Sequence, residues 1–279
     1  MREGEGYERV TLASARGEVE CRLYASANGR AAVMWVGGIG GGFDTPARGL
    51  YPRLAGELAR AGIASLRVRF RHPTLLDEAV FDVVAGARYL ETEDVEALAL
   101  VGHSFGGAVV VQAGALLTSV RTVVTLATQS YGTDPVRDLA PRSSLLLVHG
   151  EADVVLPPFS SVNVHARARG RKRLVLYEGA GHGLDEVAEE VEGLVREWIL
   201  AELGIGGEGG KEEKVAENLS GETEDLPLEP GGGDEREGRR IDQGSATGEA
   251  GISGTHATDF RPRRAEETPL DEGEEEPPE

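Results

Sequence analysis

The chain has 279 residues, a formal net charge of −19, 40% hydrophobic residues and a single cysteine. That length suits one large α/β domain or two small ones with a real core, the acidic balance argues against nucleic acid, and lone Cys21 leaves no internal disulfide. The Met1-Arg2-Glu3-Gly4 start lacks the apolar core of a signal peptide, and the longest apolar region, 97–117, is interrupted by His103, Ser104, Gln112 and glycines; no membrane span is expected, and a cytoplasmic location is the plain reading.

Two alternating segments, Glu8–Ser14 and Val19–Ala25, flank Arg16-Gly17 and predict an antiparallel hairpin at a sheet edge. Ala31–Val36 is continuously apolar, as a strand covered on both faces should be, and runs into Gly37-Gly38-Ile39-Gly40-Gly41-Gly42, a loop whose backbone can approach a ligand closely. After Pro46, Leu50, Leu54 and Leu58 recur every four residues and Gly62 stops the helix. Ile63–Phe70 reads as another strand, and Leu76, Val80, Val83, Val84 and Ala87 trace a helical face. A strand from Leu98, then Arg121–Ala127, Ser144–Val148 and Arg173–Tyr177, supply further apolar runs, and Val187, Val191, Leu194, Val195 and Trp198 form a closing amphipathic helix. Strands alternating with helices at this spacing imply an α/β fold, a mostly parallel central sheet with helices on both faces, over residues 1–204.

Residues 205–279 differ in kind. They hold 8 Lys/Arg against 22 Asp/Glu, with only nine large apolar residues, so they are expected to form a disordered acidic tail. A protein is a candidate partner for such a tail.

The chemistry gathers at Leu98–Gln112. An apolar strand stops at Gly102, the sequence Gly102-His103-Ser104-Phe105-Gly106 follows, and a second apolar run starts at Ala108. A G-x-S-x-G pattern between a strand and a helix places the serine at a sharp turn, its hydroxyl above the sheet and at a helix N-terminus. A hydroxyl needs a base to take its proton, and that base needs a carboxylate to set its tautomer. Two loops after later strands offer them: His149-Gly150-Glu151-Ala152-Asp153, where Glu151 rivals Asp153, and Glu178-Gly179-Ala180-Gly181-His182-Gly183. Among the other histidines, His103 should point away from the turn, and His149, closing a buried strand, reads as structural. Ser104, Asp153 and His182 then stand in the order Ser, Asp, His along the chain.

These three segments, GHSFGG, HGEADVVLP and GAGHG, together resemble the α/β-hydrolase fold, and in particular its small lidless members such as dienelactone hydrolases and bacterial carboxylesterases, over about residues 8–203. The resemblance implies Ser104 as nucleophile, His182 as general base and Asp153 as its orienting acid. It further implies an oxyanion hole from the backbone N–H of Phe105 and that of Ile39, with Gly40 as the alternative. Dienelactone hydrolases proper carry cysteine at the elbow, where this chain has serine.

The reaction expected is cleavage of a small carboxylic ester or thioester, with no metal and no organic cofactor. A serine peptidase or amidase, or a non-catalytic binding protein working through its tail, are the competing readings. Only Gln129–Arg142 separate the strands after the elbow helix, too short for a cap domain, so the site should be open. Arg67, Arg69 and Arg71 alternate with Val68 and Phe70, which predicts three guanidinium groups on one side of the sheet. They are expected to be solvated or paired with helix carboxylates, while Arg71 and His72, at the strand's carboxyl end, are also candidates for binding an anionic part of a substrate.

Overall fold

A computed structural model of the chain describes residues 6–27, 29–204 and 261–264, the last four by their backbone alone. The described residues form nine strands and five α-helices. The strands are β1 (Glu8–Ser14), β2 (Gly17–Tyr24), β3 (Ala31–Val36), β4 (Ala64–Val68), β5 (Ala97–His103), β6 (Val120–Leu126), β7 (Ser144–Gly150), β8 (Lys172–Tyr177) and β9 (Arg261–Arg264). They form one sheet in the order β8-β7-β6-β5-β3-β4-β2-β1-β9. The strands from β3 to β8 pair in parallel, while β1 and β2 form the predicted antiparallel hairpin and β2 runs antiparallel to β4.

The helices α1 (Leu50–Arg60), α2 (Leu76–Thr92), α3 (Phe105–Leu116), α4 (Phe159–Arg167) and α5 (Ala188–Glu202) cover the sheet. Strand alternation divides the core between two faces. Met34, Leu66, Leu98 and Leu100 pack with Val83 of α2 and Val109 of α3, whereas Val33, Trp35, Ala99 and Val101 pack with Leu54 of α1 and Val195 of α5. Residues on consecutive positions of one strand thus lie in different cores, which is why these strands read as continuous apolar runs.

The topology also locates a site. From β3 the chain moves outward to β4 in one direction, and from β5 to β6 in the other, so the order reverses between β3 and β5. In open α/β sheets the crevice beyond the carboxyl ends of strands at such a reversal is where ligands bind. The glycine loop follows β3 and Ser104 follows β5.

Three differences from the sequence reading have simple causes. The arginine-bearing strand ends at Val68, so its alternation does not extend to Arg71. Helix α4, absent from the reading, carries no strong apolar stripe and buries little beyond Ser160, Ser161 and Val164. Arg261–Arg264 lies within the expected tail yet pairs antiparallel with β1, whose outer edge is otherwise open for such addition. The rest of the expectation for 205–279 falls outside the described residues. Between β6 and β7 the chain forms one short 3-10 helix, Asp134–Leu139, and no cap domain. Among the described residues no helix is long and apolar enough to cross a membrane.

Candidate functional site

Ser104 sits where β5 turns into α3, with φ 56° and ψ −119°. A non-glycine residue there is strained, and the surroundings must hold it. Its amide donates to the carbonyl of Leu126 at 2.8 Å. The flanking glycines let helix and strand close up: a Cβ on Gly102 would stand 2.1 Å from the carbonyl oxygen of Gly106, and one on Gly106 would stand 2.4 Å from that of Gly37. No side chain fits at either place. Phe105 opens α3, so its amide is among the first-turn donors that have no helical acceptor.

Gly38 of the glycine loop lies against the serine, since a Cβ built on it would be 3.4 Å from Ser104 Cβ. Ile39 follows directly and is exposed. The loop is thus beside the elbow, as the adjacency of β3 and β5 requires.

Asp153 is buried in the loop after β7. Its Oδ1 accepts the amides of Val155 at 2.8 Å and Leu156 at 2.9 Å, and its Oδ2 accepts His182 Nδ1–H at 2.7 Å. Burial alone would raise the Asp153 pKa, but the hydrogen bonds from His182 and the two amides outweigh it, and the carboxyl titrates below the ordinary range. Glu151, the rival acid, is exposed and turned to solvent. With Nδ1 donating to Asp153, the neutral His182 ring has Nε2 as its unprotonated nitrogen. Among the described residues no hydrogen bond joins Ser104 to the His182 ring; such bonds often close only when substrate is bound.

The loops carrying Asp153 and His182 are tied together by the backbone. Ala152 N–H donates to the carbonyl of Ala180 at 3.0 Å, and Gly150 allows the contact, because a Cβ there would lie 2.1 Å from the Ala180 oxygen.

Two further histidines join the cluster. His103 Nε2 donates to the backbone carbonyl of His182 at 2.9 Å, and the two ring centroids are 4.8 Å apart. Burial holds the His103 pKa down, to about 4, although its bond to the His182 carbonyl opposes the shift. His149 is fully buried; its Nε2 lies 3.1 Å from Asp153 Oδ2 and 3.1 Å from the Leu156 carbonyl, and its Nδ1 lies 2.7 Å from Ser161 Oγ. Sequence reasoning read His103 as turned away and His149 as structural, and gave neither a place in the site. The available signal was spacing, His103 next to the serine and His149 four residues before Asp153.

Arg71 does not face this crevice. Its guanidinium is held on α2 by Asp82 at 2.6 Å and Glu78 at 2.7 Å, with its side chain only 9% exposed. Of the two expectations for Arg71, pairing with helix carboxylates is the one seen: with both carboxylates within hydrogen-bond reach, the charge is already paired. Arg67 is buried on the opposite face, bonded to the Phe43 carbonyl, and Arg69 pairs with Glu20, so the three guanidinium groups do not share one side. His72 is exposed in the loop after β4.

Apolar side chains rim the same edge of the sheet. Ile39 after β3, Leu75 after β4, Tyr131 after β6, and Val154, Val155 and Phe159 after β7 are all exposed. A cavity of about 530 Å³ lies elsewhere, against the outer hairpin beside Arg22 and Phe43, and includes none of Ser104, Asp153 or His182.

No protein-family model and no curated protein matches the sequence. Solved structures do. Est1E from Butyrivibrio proteoclasticus matches with a TM-score of 0.61 and 18% identity, over 71% of this chain and 99% of that one. The esterase domain of a Rhodothermus marinus protein gives 0.60 and 20%, over 71% and 99%. A dienelactone hydrolase from Anabaena variabilis gives 0.60 and 18%, over 70% and 97%. At such identities the likeness speaks for architecture, and together with the strand order and the strained turn at Ser104 it shows that this chain has the α/β-hydrolase fold.

Proposed function

We propose that the protein is a serine hydrolase that cleaves a small carboxylic ester or thioester through an acyl-enzyme. The observation that carries the reading is His182, whose Nδ1–H is engaged by Asp153 and whose basic Nε2 is left free on the sheet edge where Ser104 stands at its strained turn. In this reading Ser104 Oγ attacks the carbonyl carbon and its proton passes to His182 Nε2. The tetrahedral oxyanion takes hydrogen bonds from the amide of Phe105 and from that of Ile39. The C–O or C–S bond then breaks, the leaving group takes the proton from His182, and water releases the acid by the same steps in reverse order of roles. The ionised Asp153 stabilises the imidazolium formed on the way.

The rim of Ile39, Leu75, Tyr131, Val154, Val155 and Phe159 favours a substrate with an apolar portion, and the short connection between β6 and β7 leaves the crevice without a cap. A fluorophosphonate probe tests the mechanism. It should label the wild-type chain and not Ser104→Ala; equal labelling of both, or of neither, would overturn the reading. A panel of 4-nitrophenyl esters set against aminoacyl anilides then distinguishes ester from amide substrates.

A further inference from the structure

Asp153 Oδ2 has two imidazole neighbours. His182 Nδ1 approaches it at 2.7 Å and His149 Nε2 at 3.1 Å, while Oδ1 is filled by the amides of Val155 and Leu156. The protonation of His149 follows from its contacts. Both atoms facing Nε2, Asp153 Oδ2 and the Leu156 carbonyl, are acceptors, so Nε2 must carry the proton. Nδ1 is then the acceptor in a neutral ring, and the Ser161 hydroxyl on α4 donates to it at 2.7 Å.

The groups facing His149 are Asp153 from the loop after β7, Ser161 from α4 and, more distantly, the His182 ring from the loop after β8. His103, from the end of β5, adds a further imidazole to the set. Burial lowers the His149 pKa, outweighing its bonds to Leu156 and Asp153, which agrees with a neutral ring. A neutral donor suits this place. A charged one would compete with His182 for the aspartate, and a missing one would leave Oδ2 to a single partner and the carboxylate free to tilt.

We propose that His149, set in its tautomer by Ser161, is a positioning residue: it pins Oδ2 of Asp153 so that the carboxylate meets His182 Nδ1 in the orientation that hydrolysis requires. The inference rests on the hydrolase reading above. It assigns His149 no contact with substrate and no share in proton transfer to it.

Outer hydrogen-bond partners of this kind, where they orient metal ligands, are worth about 10–100-fold in activity. His149→Phe keeps an aromatic ring of similar size in a buried place and removes both nitrogens; His149→Gln restores a side-chain N–H. With 4-nitrophenyl acetate, and with active sites counted by fluorophosphonate labelling, His149→Phe should lower kcat per labelled serine by about 10-fold or more with KM nearly unchanged. His149→Gln should recover most of that loss, and Ser161→Ala should fall between the two. A purely structural histidine would instead reduce the labelled fraction and thermal stability while leaving kcat per labelled serine alone, and that result overturns the proposal.

A readout without turnover separates this outcome from failure of the hydrolase reading. The low-field proton resonance of His182 Nδ1–H reports its bond to Asp153 directly. It should shift or broaden in His149→Phe and return toward its wild-type position in His149→Gln, whatever the enzyme hydrolyses. An unmoved resonance in a folded His149→Phe protein overturns the positioning role.

Discussion

His182 Nδ1 stands 2.7 Å from Asp153 Oδ2 although 29 residues separate the two in sequence. Parallel pairing of β7 with β8 brings their carboxyl ends together, and the loops beyond are joined by the Ala152 to Ala180 backbone bond. The contact is therefore a property of sheet order before it is one of side chains. It leads to the first expectation. Asp153→Asn cannot hold the histidine in its tautomer in the same way and should lower kcat by up to about 10⁴-fold, with the fold retained. Glu151→Gln, at an exposed position, should leave turnover near wild type, and steady-state kinetics on a 4-nitrophenyl ester with circular dichroism as a fold control checks both.

Gly150 is where the two loops come within reach of each other. In Gly150→Ala the new methyl would meet the carbonyl oxygens of Ala180, at 2.1 Å, and Gly181, at 2.7 Å, and backbone atoms cannot swing aside. Overpacking of this kind costs about 1–3 kcal/mol, which should appear in urea unfolding. The displaced loop carries His182, so activity should fall further than stability, by about 100-fold for a shift near 1 Å. Normal turnover in a correctly folded Gly150→Ala protein would contradict the geometry.

Acid should weaken the fold through His103. Its pKa is held down to about 4 by burial, against about 6.5 in an unfolded chain. Between these values the unfolded state binds a proton that the folded state refuses, so stability rises with pH across the window. The contribution is fully present above about 6.5 and is lost as pH falls to about 4, amounting to at most about 3 kcal/mol. His149, also shifted downward by burial, adds in the same direction. Denaturant unfolding at pH 7 and pH 4.5 should show this loss, and His103→Gln, which does not titrate, should show a smaller one. Equal losses in the two proteins would count against His103 as the source.

Arg71 is expected to act on stability. Burial raises the pKa of Asp82, and the hydrogen bonds and charge of Arg71 only partly pull it back, so the carboxylate depends on this partner. Arg71→Ala strands a fully buried side chain and should cost about 3–5 kcal/mol. The ratio of kcat/KM for a half-ester of a diacid against its neutral homologue should stay unchanged, because the guanidinium lies on α2 and is already paired. A changed ratio at normal stability would return Arg71 to the substrate.

The sequence by itself determined the order of strands and helices except for α4 and β9, because periodicity and glycine breaks are local signals, and it singled out the Ser104 turn, whose neighbouring glycines are needed by the close approach of α3 to β5. It named Asp153 and His182 from their places after apolar runs. It ranked Asp153 above its rival Glu151 only through the family resemblance, since two acids in one loop differ only in which way the chain turns. The tertiary structure decided that choice of partner: Asp153 is buried against His182, and Glu151 faces water. It also decided three matters that no local pattern carries. Arg71 turned to Asp82 because its strand stops at Val68 and α2 brings carboxylates within reach. His103 and His149, which read as bystanders, became hydrogen-bond donors to the His182 carbonyl and to Asp153 because the four parallel strands β5 to β8 end side by side. Periodicity reports which face of an element is buried; the partner a polar group finds there depends on which other elements arrive, and that is set only when the sheet is assembled.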